Sequence, residues 1–567
     1  MGRKDWRTNR PSLGDAAGPL MSSLSLFLNY WHTIRHLRPV QFYGRAWMKL
    51  ARPRPDLNDA PAGRIRSGSW VAPARRRASL TGPSRFRFSN QEHSLTEVGW
   101  DSPAVDKLWR YNLHYFDDLN SVEADSRGEW HSNLLSRWVL ENPPAIGTGW
   151  EPYPTSLRIV NWIKWTLDGH VLASECLHSL AIQARWLARR LETHLLGNHL
   201  FANAKALVYA GLYFSGLEAD QWLEQGLRIL AREMPEQILA DGAQFERSPM
   251  YQALALEDML DLCNMSMAFQ GSLPDKWRLY ANGWSEIVGR MRFWLMAMCH
   301  PDGEISFFND AAFGIAPPLP ELDSYAKRID LPHLNSILDG VTHLAESGYV
   351  RVQLPSLVAL LDVAPIGPDY LPGHAHADTL AFELSLFGQR VLVNSGTSQY
   401  GAGDERLRQR RTAAHNTVTV DGFDSSEVWS SFRVARRAKP FDLRFAEVDG
   451  RIIVSCSHDG YQRLPGRPVH HREWQFGSGD SLILDRIRGP FTQAIARFFL
   501  HPDIEISTEQ TLRLPNGRCV HWSVGGGTPR VVPSSWHPEF GVSIANQCIE
   551  IEFEGPEVSF HLHWASI

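Results

Sequence analysis

His374 and His376 stand one residue apart in Gly373-His374-Ala375-His376-Ala377-Asp378, and His415 follows in Ala414-His415-Asn416-Thr417. On an extended strand, residues i and i+2 project to the same side, so the first two imidazoles read as neighbours on one face. The Val and Thr residues after His415 read as a second strand that can return to the same sheet. Three converging imidazoles can bind a metal, move protons, or do both. A hydrogen-bonded histidine set at a domain seam is the bland alternative.

A second polar group lies upstream. Gly197-Asn198-His199 opens a helical pattern in which Asn is a favoured cap, and Lys205 and Tyr209 fall on roughly the face of Asn198. Further on, Phe245-Glu246-Arg247-Ser248-Pro249-Met250-Tyr251 contains a helix start, with Ser248 as cap and Pro249 at the first position. Tyr251 then falls in the first turn, where the helix dipole and Arg247 would favour a phenolate. A Tyr drawn down from its usual pKa of about 10 can exchange protons near neutrality. A half-buried Tyr whose hydroxyl merely caps a neighbour is the alternative.

These residues need a scaffold. A chain of 567 residues is too long for one core and implies two or three domains. It is 43% hydrophobic and 21% charged with net charge −5, which is ordinary globular composition and points neither to nucleic acid nor to a membrane surface. No apolar run is long enough to span a bilayer. Met21 to Leu28 is briefly apolar, but Trp31, His32 and Arg35 follow without a small-residue cleavage site, so it reads as a helix start and not a signal peptide. The expected compartment is therefore the cytoplasm, with the periplasm or cell envelope as the alternative. The six Cys are scattered without a CxxC pair, which argues against a zinc ribbon or disulfide scaffold. The 21 Trp suit either packing between helices or stacking on sugar rings.

Residues 1–95 read as a basic helical segment, helical over 30–55, followed by a Pro/Arg-rich linker or strap over 51–90. Residues 96–345 read as helical, with apolar residues at three- and four-residue intervals from Ala173 to Glu192 and further helices at 199–214, 218–233, 249–270 and 275–299. Short loops between them imply antiparallel neighbours, and many helix hairpins in succession imply an incomplete (α/α) toroid. Residues 346–567 switch to period two, as in Tyr349-Val350-Arg351-Val352, with turns at Phe387-Gly388-Gln389, Val448-Asp449-Gly450 and Ser478-Gly479-Asp480. That pattern is a C-terminal antiparallel β-sandwich. The fold class is α+β multidomain, and clefts at domain junctions are favoured places for sites.

In this order, Gly197-Asn198-His199, Phe245 to Tyr251, Gly373 to Asp378, Val393-Asn394-Ser395-Gly396-Thr397 and Ala414 to Val418 resemble the heparinase II/III-like polysaccharide lyases, over roughly residues 100 to 567. The resemblance implies a toroid followed by a sandwich. It implies β-elimination on a polysaccharide containing uronic acid, in which the C5 proton is abstracted, the C4–O bond breaks and an unsaturated product leaves. That reaction requires the uronate carboxylate to be neutralised, a base for the C5 proton and an acid for the departing oxygen. Asn198, with His199, matches the family's neutraliser; Tyr251 and His374 match its proton-transfer residues, with Tyr251 as acid and His374 as base the first assignment. The resemblance also implies one zinc ion in the sheet domain, on His376, Asn394 and His415. Asn394 departs from the Asp common at that position, and an amide is a poorer zinc ligand. No organic cofactor is implied.

Arg406, Arg408, Arg410 and Arg411 precede His415, and Arg433, Arg436 and Arg437 follow it. In a net-acidic chain, such clusters suit an acidic polysaccharide partner, which Arg grips in bidentate fashion; Arg247, Arg408, Arg411 and Arg436 are the candidate substrate contacts. Ion pairing with Asp404, Glu405 and Glu427 is the alternative. Two further functions compete: a glycan-binding protein of capsule or exopolysaccharide biosynthesis with weak or no catalysis, and a glycoside hydrolase on the same toroid. The hydrolase would need two carboxylates in the cleft, for which Asp241 and Glu246 are candidates. A metal-dependent hydrolase on His374, His376 and His415 lacks a paired acidic ligand.

Overall fold

The computed structural model describes residues 23–507 and 510–565. Met21 and Ser22, read as part of a helix start, lie outside them; the first helix spans Ser23–Ile34 and a second spans Pro39–Leu50. Pro39 occupies the first position of its helix, where the missing N–H has no intrahelical partner to lose. The Pro/Arg-rich stretch beyond runs as an irregular strap across the helical domain. It is tied down: Arg64 N–H donates to Tyr213 O (2.8 Å), Ser67 N–H to Ala268 O (3.1 Å), and Arg75 pairs with Asp168 (3.2 Å). A three-stranded sheet, Leu80–Gly82, Arg85–Phe88 and Gln91–Ser94, ends the strap.

The following helices form two rows. Lys107–Tyr115, Pro152–Leu167, Gly197–Tyr213 and Pro249–Ala268 pack each on the next. Pro249–Ala268 in turn meets Trp284–Ala297 and Leu319–Arg328. Behind them Gly128–Glu141, Ser174–Arg189 and Leu217–Gln237 make the second row. This is an incomplete (α/α) toroid. Gly197–Tyr213 is buried nearly all round, as an inner helix must be. Since alternate helices share a direction, the N-termini of the inner row open at one end.

Trp residues fill the space between rows. Trp138 and Trp162 meet edge to face at 5.8 Å, and the buried Arg158 guanidinium lies 3.8 Å over the Trp138 ring. Most Trp therefore pack. Among the described residues only Trp31 and Trp47 are classed as exposed.

From Gly340 the chain is antiparallel sheet. Five strands run Gly340–Leu344, Tyr349–Leu354, Leu357–Asp362, Phe382–Leu386 and Gln389–Leu392, each paired with the next. An eight-stranded and a four-stranded sheet follow, and one apolar core that includes Val352, Phe382, Trp474, Phe498 and Phe560 joins all three. The two-residue turns Phe387-Gly388 and Asp449-Gly450 have positive φ at both positions (52° and 79°; 50° and 73°), the hairpin geometry that Gly favours.

The sequence expectation fails at the histidines. His374 and His376 lie in an irregular segment between Leu357–Asp362 and Phe382–Leu386, not on a strand, and His415 precedes the strand Val418–Val420. Side chains replace the ladder there. His376 N–H donates to Asn309 Oδ1 (3.0 Å), Ala377 N–H to Arg410 O (2.8 Å), and the Arg410 guanidinium to Ala375 O (2.8 Å).

Candidate active site

Two inner helices deliver the toroid's contribution. In Pro249–Ala268 the Ser248 Oγ accepts the Tyr251 N–H (3.2 Å), as the Ser-Pro start predicts, and donates to Asp310 O (2.5 Å). The helix start is thus fastened to the segment that crosses from toroid to sheet. Tyr251 lies against His374, ring centroids 4.1 Å apart, and its hydroxyl meets that of Tyr400 at 3.0 Å. The expected phenolate is not what this environment favours. Burial, together with Tyr400 and Asp310, pushes the Tyr251 pKa well above its usual value. The helix dipole is the weaker influence, and Arg247 turns away: its guanidinium donates to Pro365 O (2.5 Å).

The helix Gly197–Tyr213 begins two residues earlier than a cap at Asn198 would require. Leu196 is the N-cap, with φ +62°, and Asn198 lies inside the first turn with its side chain free of capping duty. Gly197 has φ +52°, and a Cβ there would come 2.4 Å from Leu371 Cδ2 and 3.5 Å from Glu246 Oε1. His199 Nδ1 contacts the buried Glu192 (3.2 Å), and the ring lies 4.4 Å from that of Tyr153, in the first turn of Pro152–Leu167. Burial opposes charge on His199, but Glu192, with Glu246 and Glu151 beyond it, holds its pKa above the ordinary imidazole value. Lys205 and Tyr209 face elsewhere, onto Asp258 and Asp261 inside the toroid.

On the sheet side, Asp310 organises the histidines, and sequence reasoning missed it. Fully buried, it accepts His374 Nδ1 on one oxygen (2.8 Å) and His376 Nε2 on the other (2.9 Å), and it is paired with Arg406 (NH2 at 2.7 Å). Burial alone would raise its pKa; Arg406 and the two imidazoles overcome this and hold it well below the usual carboxylate range. An ionised Asp310 only accepts, so His374 and His376 both direct an N–H at it. In the neutral rings that leaves His374 Nε2 and His376 Nδ1 as lone-pair nitrogens. His374 Nε2 faces Glu246 Oε2 at 3.8 Å. This oxygen is buried without a hydrogen-bond partner among the described residues, and burial pushes the Glu246 pKa up. Tyr400 and Phe432 complete the wall, with ring centroids 5.6 and 6.0 Å from His374.

His376 Nδ1 and His415 Nε2 stand 3.2 Å apart, and burial pushes the two rings down to about 4 and about 3, so both are neutral at neutral pH. Asp378 joins them as the third potential ligand, the three ligand atoms lying within 4.8 Å of one another. Asn394, assigned that place by resemblance, is buried with its Oδ1 already accepting the Asn416 N–H (3.1 Å). Two neutral imidazoles and a carboxylate, one imidazole backed by Asp310, fit a divalent cation.

The proposed substrate arginines are mostly committed elsewhere. Arg408 is held by both oxygens of Glu405 (2.7 and 2.8 Å), Arg436 by Glu427 (2.8 Å), and Arg411 lies 3.7 Å from Asp424. The ion-pair alternative describes Arg408 and Arg436; Asp424, beside Arg411, is not among its expected partners. The arginines that matter to the site are Arg406, on Asp310, and Arg410, which is buried without a carboxylate partner among the described residues and fastens the histidine segment through Ala375 O.

An inner-helix Tyr facing a sheet-domain His defines a site between toroid and sandwich. The family models "Heparinase II/III N-terminus" and "Heparinase II/III-like, C-terminal" match residues 96–317 and 338–565. The chain belongs to the heparinase II/III-like family. A heparin-sulfate lyase of Pedobacter heparinus is 24% identical over 370 residues, covering 57% of this chain and 54% of that protein. The chain thus spans about half the length of that curated relative. FtsZ-localized protein C of Caulobacter vibrioides is 24% identical over 498 residues, covering 81% of this chain and 80% of that protein. Among solved structures, heparinase III superposes with a TM-score of 0.62 at 18% identity, covering 81% of this chain and 76% of that one, which establishes the likeness of fold.

Proposed function

We propose that the chain is a polysaccharide lyase that cleaves a uronate-containing polymer by β-elimination. The observation that carries this reading is the hydrogen bond that orients His374: Nδ1–H donates to Asp310, which in the neutral ring leaves Nε2 to accept a proton, and Tyr251 lies against that ring. His374 Nε2 is then the base for the C5 proton. Tyr251, kept protonated by its surroundings, is the acid for the departing O4. Asn198 and His199, whose pKa Glu192 holds up, stand at the positive end of an inner helix, receive the uronate carboxylate and offset the charge that develops on it. Heparin-sulfate lyases among the relatives make sulfated glycosaminoglycans one class of substrate to test.

His376, His415 and Asp378 would hold a zinc ion. When bound, it would supply positive charge and cross-link the two histidine segments behind His374. The proton transfers assigned above remain with His374 and Tyr251.

The test is incubation with alginate, glucuronan, hyaluronan, heparan sulfate and chondroitin while following ultraviolet absorbance. A conjugated alkene that forms with the wild type and is lost in Tyr251→Phe and His374→Ala supports the lyase. New reducing ends without the alkene would replace it with hydrolysis, and binding without cleavage would replace it with a glycan-binding role.

A further inference from the structure

The first two helices are inside out. Of the twenty-seven large apolar side chains exposed on the described chain, nine fall between Leu26 and Leu50. Leu26, Phe27, Tyr30, Trp31 and Ile34 follow one stripe of Ser23–Ile34, and Phe42, Tyr43, Trp47 and Leu50 follow one stripe of Pro39–Leu50. Phe27 is 65%, Trp31 59% and Trp47 66% exposed. Uncharged polar residues face inward instead. Thr33 Oγ1 accepts the Trp429 Nε1–H (3.1 Å) and lies 3.2 Å from Val434 O, Gln41 Nε2 donates to Tyr370 O (3.1 Å), and Gly44 lies against His194.

Charge along this segment is one-sided. Between residues 23 and 55 there are six Lys and Arg and no Asp or Glu. Arg38 is used internally, on Glu236. Arg35, Arg45, Lys49, Arg52 and Arg54 are exposed and have no carboxylate partner among the described residues. A net charge of −5 for the whole chain conceals this local excess.

We infer that the outward face of these two helices docks on a phospholipid surface carrying anionic headgroups. Aromatic and aliphatic side chains in a helical stripe, flanked by unpaired Lys and Arg, are what an interfacial helix presents to a bilayer. The apolar side chains enter the headgroup region while the cations meet lipid phosphate. A two-fold dimer through the same face would bring a surface with Lys and Arg but no Asp or Glu against itself, so charge favours lipid over a second chain. The two helices seat on Tyr370 and His194, near the junction of toroid and sheet, so docking holds the candidate site close to the lipid surface.

The test uses the full chain in flotation with vesicles of phosphatidylcholine containing phosphatidylglycerol, against phosphatidylcholine alone. Binding should require the anionic lipid and weaken with salt. Trp31→Glu with Trp47→Glu should abolish it while leaving the circular dichroism melt unchanged, because both side chains are exposed. Arg45→Glu with Lys49→Glu should lower partition roughly thirtyfold or more. Absence of flotation by the folded wild type overturns the inference, as does flotation that survives the Trp pair. So does a dimer in ultracentrifugation that the Trp pair dissociates, with no lipid bound.

Discussion

Replacing Asp310 by Asn separates the two things this carboxylate does. It balances the buried Arg406 guanidinium, and it fixes the protons of His374 and His376. Removing one partner of a buried ion pair costs about 3–5 kcal/mol, because the other charge is left uncompensated. Loss of a correctly oriented general base costs about 10²–10⁴ in turnover. Asp310→Asn should therefore show both a large drop in the denaturation midpoint and a fall in alkene production of that size, chiefly in kcat. The double variant Asp310→Asn with Arg406→Gln removes both charges, so most of the lost stability should return. Activity should not return, since His374 Nδ1 still lacks an ionised acceptor. The assays are urea unfolding and steady-state absorbance on whichever polymer the panel selects. If activity recovers together with stability, Asp310 is only a counterion and the tautomer argument is wrong.

Gly197→Ala should destabilise by about 1–2 kcal/mol from its left-handed backbone alone, and the contact with Leu371 should lower activity further by shifting Asn198; wild-type turnover in this variant would remove Asn198 from the mechanism. Zinc added to metal-stripped protein should raise the melting temperature, by about 2.7 kcal/mol in stability at a hundredfold excess over Kd. His376→Ala and His415→Ala should abolish that gain and Asn394→Ala should preserve it; dependence on Asn394 instead would restore it as a ligand. Asp118 is drawn down to about 2: burial alone would raise it, but His131, Arg127 and the Ser79 and Leu80 N–H groups prevail. Its folded pKa is depressed, so its contribution is present above about pH 4 and is lost as pH falls toward 2. The wild type should exceed Asp118→Asn by roughly 2 kcal/mol at pH 7 and converge with it in acid; a constant difference across that range would refute the assignment.

What the sequence determined is local chemistry and period. Ser248-Pro249 forces a helix start and so puts Tyr251 in a first turn, and the change from 3.6-residue to two-residue periodicity divides helices from strands. The pairing of Phe387-Gly388 and Asp449-Gly450 with hairpin turns is equally local. Short motifs in fixed order marked His374, His376 and His415 even though the strand assumed beneath them is absent. Tertiary structure decided the rest, because these outcomes depend on which distant groups meet in a place without water. Asp310 sits in a stretch with no motif of its own, yet Arg406 and two imidazoles converge on it. The Tyr251 pKa rises because burial outweighs the helix dipole. Arg408 and Arg436 find carboxylates nearby and are spent on them. Residues 30–55 read from sequence only as helical and basic, and only the packing of Thr33 and Gln41 shows that the apolar stripes carrying Trp31 and Trp47 face out.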